Sequence, residues 1–463
     1  MIPERLRPIL DEVSPLARRF EDAGHRVYLV GGIVRDIVLA RPLSGDIDLT
    51  TDARPERTVE LVTGWADAVW DQGARFGTVG LKKADTVFEV TTHRAEAYTP
   101  DSRKPDVSFA DEVEADLSRR DFTVNAMALR ITGDPDEVPE LIDPFGGVAD
   151  LAAGLLRTPL SPEMSFTDDP LRMLRAARFL AGYGLVPDDD LRRAVRDLVP
   201  RLEIVSAERV RDELSKLMVV EDPSPGLWFL VDAGIADVIL PELSAMRVEQ
   251  DPVHRHKDVL AHTIAVVAKT RPGLVVRMAA LLHDVGKPKT RSIGPKGVSF
   301  HHHEVVGARM ARDRLRALRF PNEQVEDISQ LVYLHLRFHG YGDDVWTDSA
   351  VRRYVRDAGP LLDDLNELTR CDCTTRDERK ARMLAARMDA LEARIAELRE
   401  REELESIRPD LDGQAVMAHL GIPPGRAVGE ALAMLLEARL DEGPLEDAEA
   451  YRRLDDWWAA RQE

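Results

Sequence analysis

The chain has 463 residues, 44% of them hydrophobic and 32% charged, with a formal net charge of −20. That length exceeds one ordinary core and predicts roughly two to four domains, while the acidity excludes a protein that coats nucleic acid indiscriminately but leaves room for a local basic groove. No apolar run reaches the ~18 residues of a membrane helix, the start "MIPERLRPILDEV" is charged where a signal peptide is apolar, and the two cysteines, Cys371 and Cys373, are too few and too close for a disulfide framework. A cytoplasmic protein with no membrane partner is expected.

Up to about residue 150, helix and strand alternate. "HRVYLVGG", "GDIDLTT", "ARFGTVGL" and "DTVFEVTTH" are rich in Val, Thr and aromatic residues and read as short strands. "LIDPFGGVADLAAG" then supplies Pro and two glycines, a hinge-like punctuation. Beyond it the pattern is almost wholly helical. "DDPLRMLRAARFLAGYGL" spaces Leu171, Leu174 and Phe179 for a helix with Asp168 and Asp169 at its start, and "SAERVRDELSKLMVV" begins with Ser206 as a cap. Nine of the 12 histidines fall between His254 and His339. A mixed-charge, Ala/Leu-rich helix from Arg376 to Glu405 reads as a solvated arm. The tail reads as helix, Pro-Gly turn, helix. The expected class is α+β: a small mixed-sheet head over 1–147, then helical segments over 148–245, 250–375 and 376–463.

On a strand, Asp46 and Asp48 of "GDIDLTT" point to one face while Ile47 and Leu49 point to the other. Two residues along a strand span roughly 6.5–7 Å, close enough for two carboxylates to share divalent ions about 3.5–4 Å apart, the arrangement for in-line phosphoryl displacement. Hard carboxylate ligands favour Mg²⁺ or Mn²⁺ over zinc. Upstream, Gly31 and Gly32 let the backbone approach a phosphate, and Arg35 is placed to clamp its oxygens. Glu89, on the strand "VFEVTT", offers a third carboxylate. DxD alone is a common surface pair; "GGIVRD" at a short distance upstream makes the catalytic reading the better one.

"GGIVRD…GDIDLTT" resembles the signature of the tRNA nucleotidyltransferases, the bacterial (class II) CCA-adding enzymes of the polymerase-β-like superfamily. "DLSRRDFTVNAMAL" is similar to the family's ribose-recognition stretch, and the resemblance carries that role to Arg120, Asp121 and Asn125. "DPFGG" resembles its head-to-neck hinge, "DDPLRMLRAARF" its nucleotide-template helix, and "SAERVRDELSKLM" the next neck helix. Ala40 and Asp168 stand where the family often has glycine and glutamate. The resemblance implies a polymerase-β-like head with Mg²⁺, a helical neck, and tRNA, ATP and CTP as partners.

Asp169 only accepts hydrogen bonds and Arg172 only donates. A base read by this pair offers an amino group beside an unprotonated ring nitrogen, which cytosine and adenine do and uracil and guanine do not. Two mispaired buried groups, at about 1–3 kcal/mol each, suffice for rejection. With Arg175, positions 169 and 172 are expected on one side of one helix at i+3 spacing, and Arg175 and Arg178 would reach the triphosphate or the RNA end.

In the histidine-rich segment, His262, His283, Asp284 and Asp372 resemble the ligand set of HD-type metal phosphohydrolases, with His303 and His335 extending it towards a second ion. Imidazole with carboxylate suits Mn, Fe, Ni or Co. The resemblance implies phosphatase and 2′,3′-cyclic phosphodiesterase activity. The readings to be separated are full CCA addition, poly(A) synthesis or CC- or A-only addition by the same superfamily, and a nucleotide-signalling phosphohydrolase with a regulatory head. The stretch "HRAEAYTPDSRKPDV", long enough for a loop that switches from C to A, favours CCA.

Overall fold

The computed structural model describes residues 4–462 except 44, 71–72, 74–76, 98–105, 248–257, 295–296, 339–345, 374–377, 403 and 405–406. Two compact units, Met1–Pro241 and Glu242–Glu463, divide the chain. The first begins with helix α1 (Arg7–Asp22), strand β1 (Val27–Val30), α2 (Gly32–Val38), β2 (Ile47–Thr51) and α3 (Pro55–Val62). Then come β3 (Ala68–Trp70), β4 (Thr78–Lys83), β5 (Thr86–Thr92), the hairpin β6 (Arg94–Ala97) and β7 (Asp106–Phe109), and α4 (Val113–Ser118). Strands β8 (Ala128–Ile131) and β9 (Glu140–Ile142) complete a seven-stranded mixed sheet in the order β3-β4-β5-β2-β1-β8-β9. Of its pairs, β2 with β5 is parallel.

Burial alternates at the start of β2 and along β5, and that alternation positions the site. Leu10, Val13, Ala17 and Phe20 form a helical stripe that buries α1 against Leu29, Leu49, Phe88 and Val90 on one face of the sheet. On the opposite face, α4 covers the β1–β8 end, where Val113 and Leu117 pack on Tyr28, Val30 and Ala128. Further across, that face presents the exposed Asp48 and Glu89.

The neck follows as α5 (Gly147–Ala153), α6 (Pro162–Asp168), α7 (Leu171–Tyr183), α8 (Asp189–Leu198) and α9 (Ala207–Met218). Ser161, Asp188 and Ser206 accept from the backbone amides of Met164, Leu191 and Arg209, capping α6, α8 and α9. The "DPFGG" stretch is pinned, because Asp143 accepts from the amides of Gly147 (2.7 Å) and Val148 (3.0 Å) at the start of α5. One expectation is corrected here. Asp169 does not start the helix: Asp168 ends α6, Asp169 has extended backbone (φ −138°), and α7 begins at Leu171. Pro170 explains the break, since the residue before proline is pushed out of the helical region.

In the second unit the helix of the arm runs over Glu378–Arg401 and is not simply solvated, as Leu384, Met388, Leu391, Ile395 and Leu398 are buried along one stripe. The C-terminal helices Gly413–Leu420, Arg426–Glu442 and Asp447–Gln462 enclose their own core of Val416, Ala431, Leu435 and Leu454. The chain after residue 147 is not wholly helical. Leu155–Leu156 pairs with Val186–Pro187, and Arg291–Gly294 with Gly297–Phe300.

Asp116 ties the hairpin to the head. It is 0% exposed and accepts from Arg119 Nε (3.1 Å), Arg120 Nη2 (3.0 Å) and the amide of Arg94 (3.3 Å), the first residue of β6. Burial alone would raise its carboxyl, but Arg120 and then Arg119 outweigh it and hold it well below the usual carboxylate range. A depressed folded-state pKa contributes stability that is complete above the unfolded carboxylate value and drains away as pH falls. Asp116→Ala is therefore expected to cost about 3–5 kcal/mol at neutral pH, with the deficit shrinking below about pH 4. Urea denaturation at pH 7 and near pH 2 measures this, and an equal loss at both would refute the electrostatic account.

Two candidate active sites

Asp48 and Glu89 are register partners in the parallel β2–β5 pair, so their side chains leave the same face. Asp46, one residue ahead of β2, follows the same alternation, and all three are exposed while Ile47, Leu49 and Phe88 between them are buried. Partial burial, then Glu89, with Asp46 adding and Arg120 opposing, pushes the Asp48 carboxyl above its ordinary value. The donors fit a divalent cation: three hard carboxylates crowd one patch, and a cation relieves their repulsion.

At the end of β1, Gly31 has φ +74°, and a Cβ there would lie 2.9 Å from Arg120 Nη1. Only glycine satisfies both demands. Arg35, on α2, is 6% exposed and is taken up inside the protein. Its Nη1 donates to Asn125 Oδ1 (2.7 Å), its Nε and Nη2 donate to Asp36 (3.0 and 3.1 Å), and its guanidinium lies 4.0 Å from the Tyr183 ring centre. Asn125 Nδ2 in turn donates to Asp121 Oδ1 (3.0 Å), and Arg175 Nε donates to Asp121 Oδ2 (2.8 Å). Burial would raise Asp121, yet Arg175 and the Asn125 hydrogen bond bring it down to about 2. Arg178 is paired with the buried Glu213. The structure thus gives Arg35, Arg175 and Arg178 protein partners, and links α2 to α7 through side chains.

Asp169 and Arg172 flank the α6–α7 break, where the Arg172 amide donates to the Asp169 carbonyl (3.0 Å). Asp169 Oδ1 accepts from the Leu171 amide (3.2 Å) and Oδ2 from Arg209 Nη2 (2.8 Å). Arg172, 8% exposed, donates to Ser165 Oγ (2.9 Å) and to the Arg119 carbonyl (2.5 Å). Arg209 was not foreseen, although it stands inside "SAERVRDELSKLM", three residues after the Ser206 cap. The "EAYTPDSRKPD" stretch lies largely outside the described residues.

The second unit gathers His262, His283, Asp284 and Asp372. His262 Nε2 stands 2.9 Å from Asp372 Oδ1 and 3.3 Å from His283 Nε2, which is 3.2 Å from Asp284 Oδ2. His303 Nε2 is 3.4 Å from Asp284 Oδ1 and 3.2 Å from His335 Nε2. Three of these rings are fixed from behind: Nδ1 of His283, His303 and His335 meets the carbonyls of Ala280, Phe300 and Val332 at 2.7, 2.8 and 2.6 Å. A carbonyl only accepts, so each Nδ1 carries a proton, and a ring with no second proton turns an Nε2 lone pair inward. Opposed lone pairs, with Asp284 Oδ1 buried and without a hydrogen bond, fit a metal ion between them. Burial would lower His283, but Asp284 and Asp372 lift it to about 10, whereas burial and His283 push His335 down to about 3. Lys287 Nζ, 2.6 Å from Asp284 Oδ2, is a further partner. It stands three residues after Asp284 in the sequence, a spacing that by itself gives no sign that the lysine turns back.

Residues 27–157 match the poly A polymerase head domain, residues 184–246 a probable RNA and SrmB-binding site of polymerase A, and residues 259–398 the HD domain. An A-adding tRNA nucleotidyltransferase of Deinococcus radiodurans is 37% identical over 356 residues, 73% of this chain and 78% of that protein. The chain belongs to the tRNA nucleotidyltransferase family. A CCA-adding enzyme of Leuconostoc mesenteroides is 39% identical over 217 residues, 47% of this chain and 51% of its own length. The chain thus spans about half the length of the CCA-adding relatives it matches. Among solved structures, the Bacillus stearothermophilus CCA-adding enzyme in complex with CTP has a TM-score of 0.72 at 24% identity, covering 100% of this chain and 99% of that one. The Thermotoga maritima CCA-adding enzyme complexed with tRNA has a TM-score of 0.58 at 18% identity, covering 98% and 96%. These structures share the fold. The family resemblance, the mixed α+β class and the HD domain expected from sequence are borne out. Nucleotidyltransferase and HD domains both imply dependence on divalent metal. Among the described residues, no helix is long and apolar enough to cross a membrane.

Proposed function

We propose that this enzyme adds CCA to the 3′ end of tRNA from CTP and ATP without a nucleic-acid template. The observation that carries the reading is the in-register pairing of Asp48 with Glu89, with Asp46 beside them and the Gly31 turn adjoining at the end of β1. Asp46, Asp48 and Glu89 hold the ions, for which hard oxygens favour Mg²⁺. Two such ions, when bound, lower the pKa of the RNA 3′-hydroxyl and neutralise the triphosphate and departing pyrophosphate. The 3′-oxygen attacks the α-phosphorus and pyrophosphate leaves, with no covalent enzyme intermediate. Gly31 and Gly32 admit the triphosphate, Arg120 lies beside Gly31, and Asp121 and Asn125 face the ribose. Asp169 and Arg172 read the base, whose amino group takes the place of Arg209 on Asp169. In this reading the head is 1–147, the neck 148–245, the HD segment 250–375 and the arm and tail 376–463, and the protein works in the cytoplasm.

Addition of A alone is the second reading, favoured by the A-adding relative covered over 78% of its length. Offering tRNA ending at the discriminator base, at C or at CC, with each triphosphate in turn and sequencing the 3′ ends separates the two. Long A tracts would instead indicate poly(A) synthesis. The HD segment is a separate metal phosphohydrolase acting on 2′,3′-cyclic phosphates or phosphomonoesters. His262, His283, Asp284 and Asp372 hold one Mn, Ni, Co or Fe ion, which activates water when bound, and His303 and His335 extend the site. Lys287 orients Asp284.

Asp48→Ala is expected to lower incorporation roughly 10³-fold or more while tRNA binding persists; near wild-type incorporation would sink the assignment. Arg172→Ala should admit U or G and slow both C and A addition by about 10²-fold, as read by incorporation of each nucleotide. Unchanged C/A selectivity would remove the protein-template account. His283→Ala should abolish hydrolysis of 2′,3′-cyclic AMP with Mn, Ni or Co and leave nucleotide addition intact. No hydrolysis by the unaltered protein with any of these metals would make the HD segment a scaffold.

A further inference from the structure

One register row crosses four strands on the open face of the head. Asp48 of β2 is opposite Glu89 of β5, Glu89 is opposite Gly80 of β4, and Gly80 is opposite Trp70 of β3. Partners in register share a face, so Trp70 stands on the side of the carboxylates. Gly80 has no side chain, and the indole fills that space: a Cβ at Gly80 would lie 1.9 Å from Trp70 Nε1 and 2.2 Å from Cε2. The ring therefore rests on the strand next to Glu89 while Trp70 remains 39% exposed. With strands about 4.8 Å apart, the indole over β4 sits about 10 Å from Asp48. That is within the span of one nucleotide whose 3′-oxygen stands at the carboxylates.

We propose that Trp70 is the stacking platform for the 3′-terminal base of the acceptor RNA. This rests on the nucleotidyltransferase reading above. The opposite flank of the carboxylates is already committed. Gly31, at the end of β1, meets Arg120, and the side chains of Arg35, Asn125, Asp121 and Arg175 follow from there to α7. The incoming nucleotide has that flank, which leaves the β4–β3 side for the acceptor. Lys82, exposed on the same face of β4 two residues from Gly80, supplies the cation for a backbone phosphate. An aromatic face beside a cation is what single-stranded RNA binds without regard to sequence. That tolerance is needed here, because the terminal base changes from discriminator to C to C as the end grows.

An aromatic laid over a strand glycine also serves packing alone, and the test separates the two roles. Trp70→Ala and Trp70→Phe are compared on tRNA ending at the discriminator base and on the same tRNA with an abasic 3′ terminus. Stacking predicts that Trp70→Ala raises KM for tRNA by about 5- to 100-fold, with kcat and KM for the nucleotide little changed, and that Trp70→Phe recovers most of the loss. It further predicts that the abasic end weakens binding to the wild type but not to Trp70→Ala. Unaltered KM for tRNA in Trp70→Ala, or an abasic penalty of the same size in both proteins, overturns the inference. A wild type that adds no nucleotide to any tRNA would instead overturn the reading on which it rests.

Discussion

Repulsion between carboxylates in register governs the layout of the head. Asp48 and Glu89 cannot turn away from each other, because parallel pairing of β2 with β5 fixes their side and the residues flanking them are buried. Partial burial first, and this repulsion second, make Asp48 hold its proton more tightly than a free aspartate. Such a patch is poor as a structural element and good as a receptor for a divalent charge. The surrounding sheet is consistent with that use. Its other face is packed against α1, so the strands bearing the carboxylates are held rigidly from behind.

A second dependence runs through polar side chains instead of the sheet. Asp36, Arg35, Asn125, Asp121 and Arg175 form a continuous chain of charge-assisted hydrogen bonds from α2 to α7. Each buried charge in it has a partner of opposite sign or a polar neighbour, the condition under which buried ions are tolerated. The helix that follows the glycine turn and the helix that follows the α6–α7 break are thereby held in one frame. An arginine that looks, in sequence, like a phosphate clamp is in the fold a strut beneath Tyr183.

Much of this was legible in the residues. The four strands read from Val, Thr and aromatic content are all present, as β-branched and aromatic residues suit a pleated, packed surface. The carboxylates were recognisable because a DxD pair on a strand has one geometrical consequence. The strands β3, β8 and β9 and the hairpin β6–β7 carry no such signal, being three or four residues long. The start of α7 was misplaced by two residues because Asp168 and Asp169 look like caps, while Pro170 decides where the helix can begin. Partners brought in from elsewhere in the chain, such as Arg209 on Asp169, carry no local signal at all. The arm was read as solvated from its charge, although its every-third-or-fourth leucine and methionine spacing already described a buried stripe.

His283 and His335 each sit at the residue where a helix stops, and each ring is anchored to a carbonyl of its own last turn. Helix ends leave carbonyls without backbone partners, so the termination of the helix itself supplies the anchor. The rings cannot swing outward without breaking that bond, and their inward directions are therefore set by the backbone and not by an ion. An ion that leaves does not collapse such a cage, and one that enters need not assemble it. Exchange of one divalent ion for another would proceed without a change of rotamer.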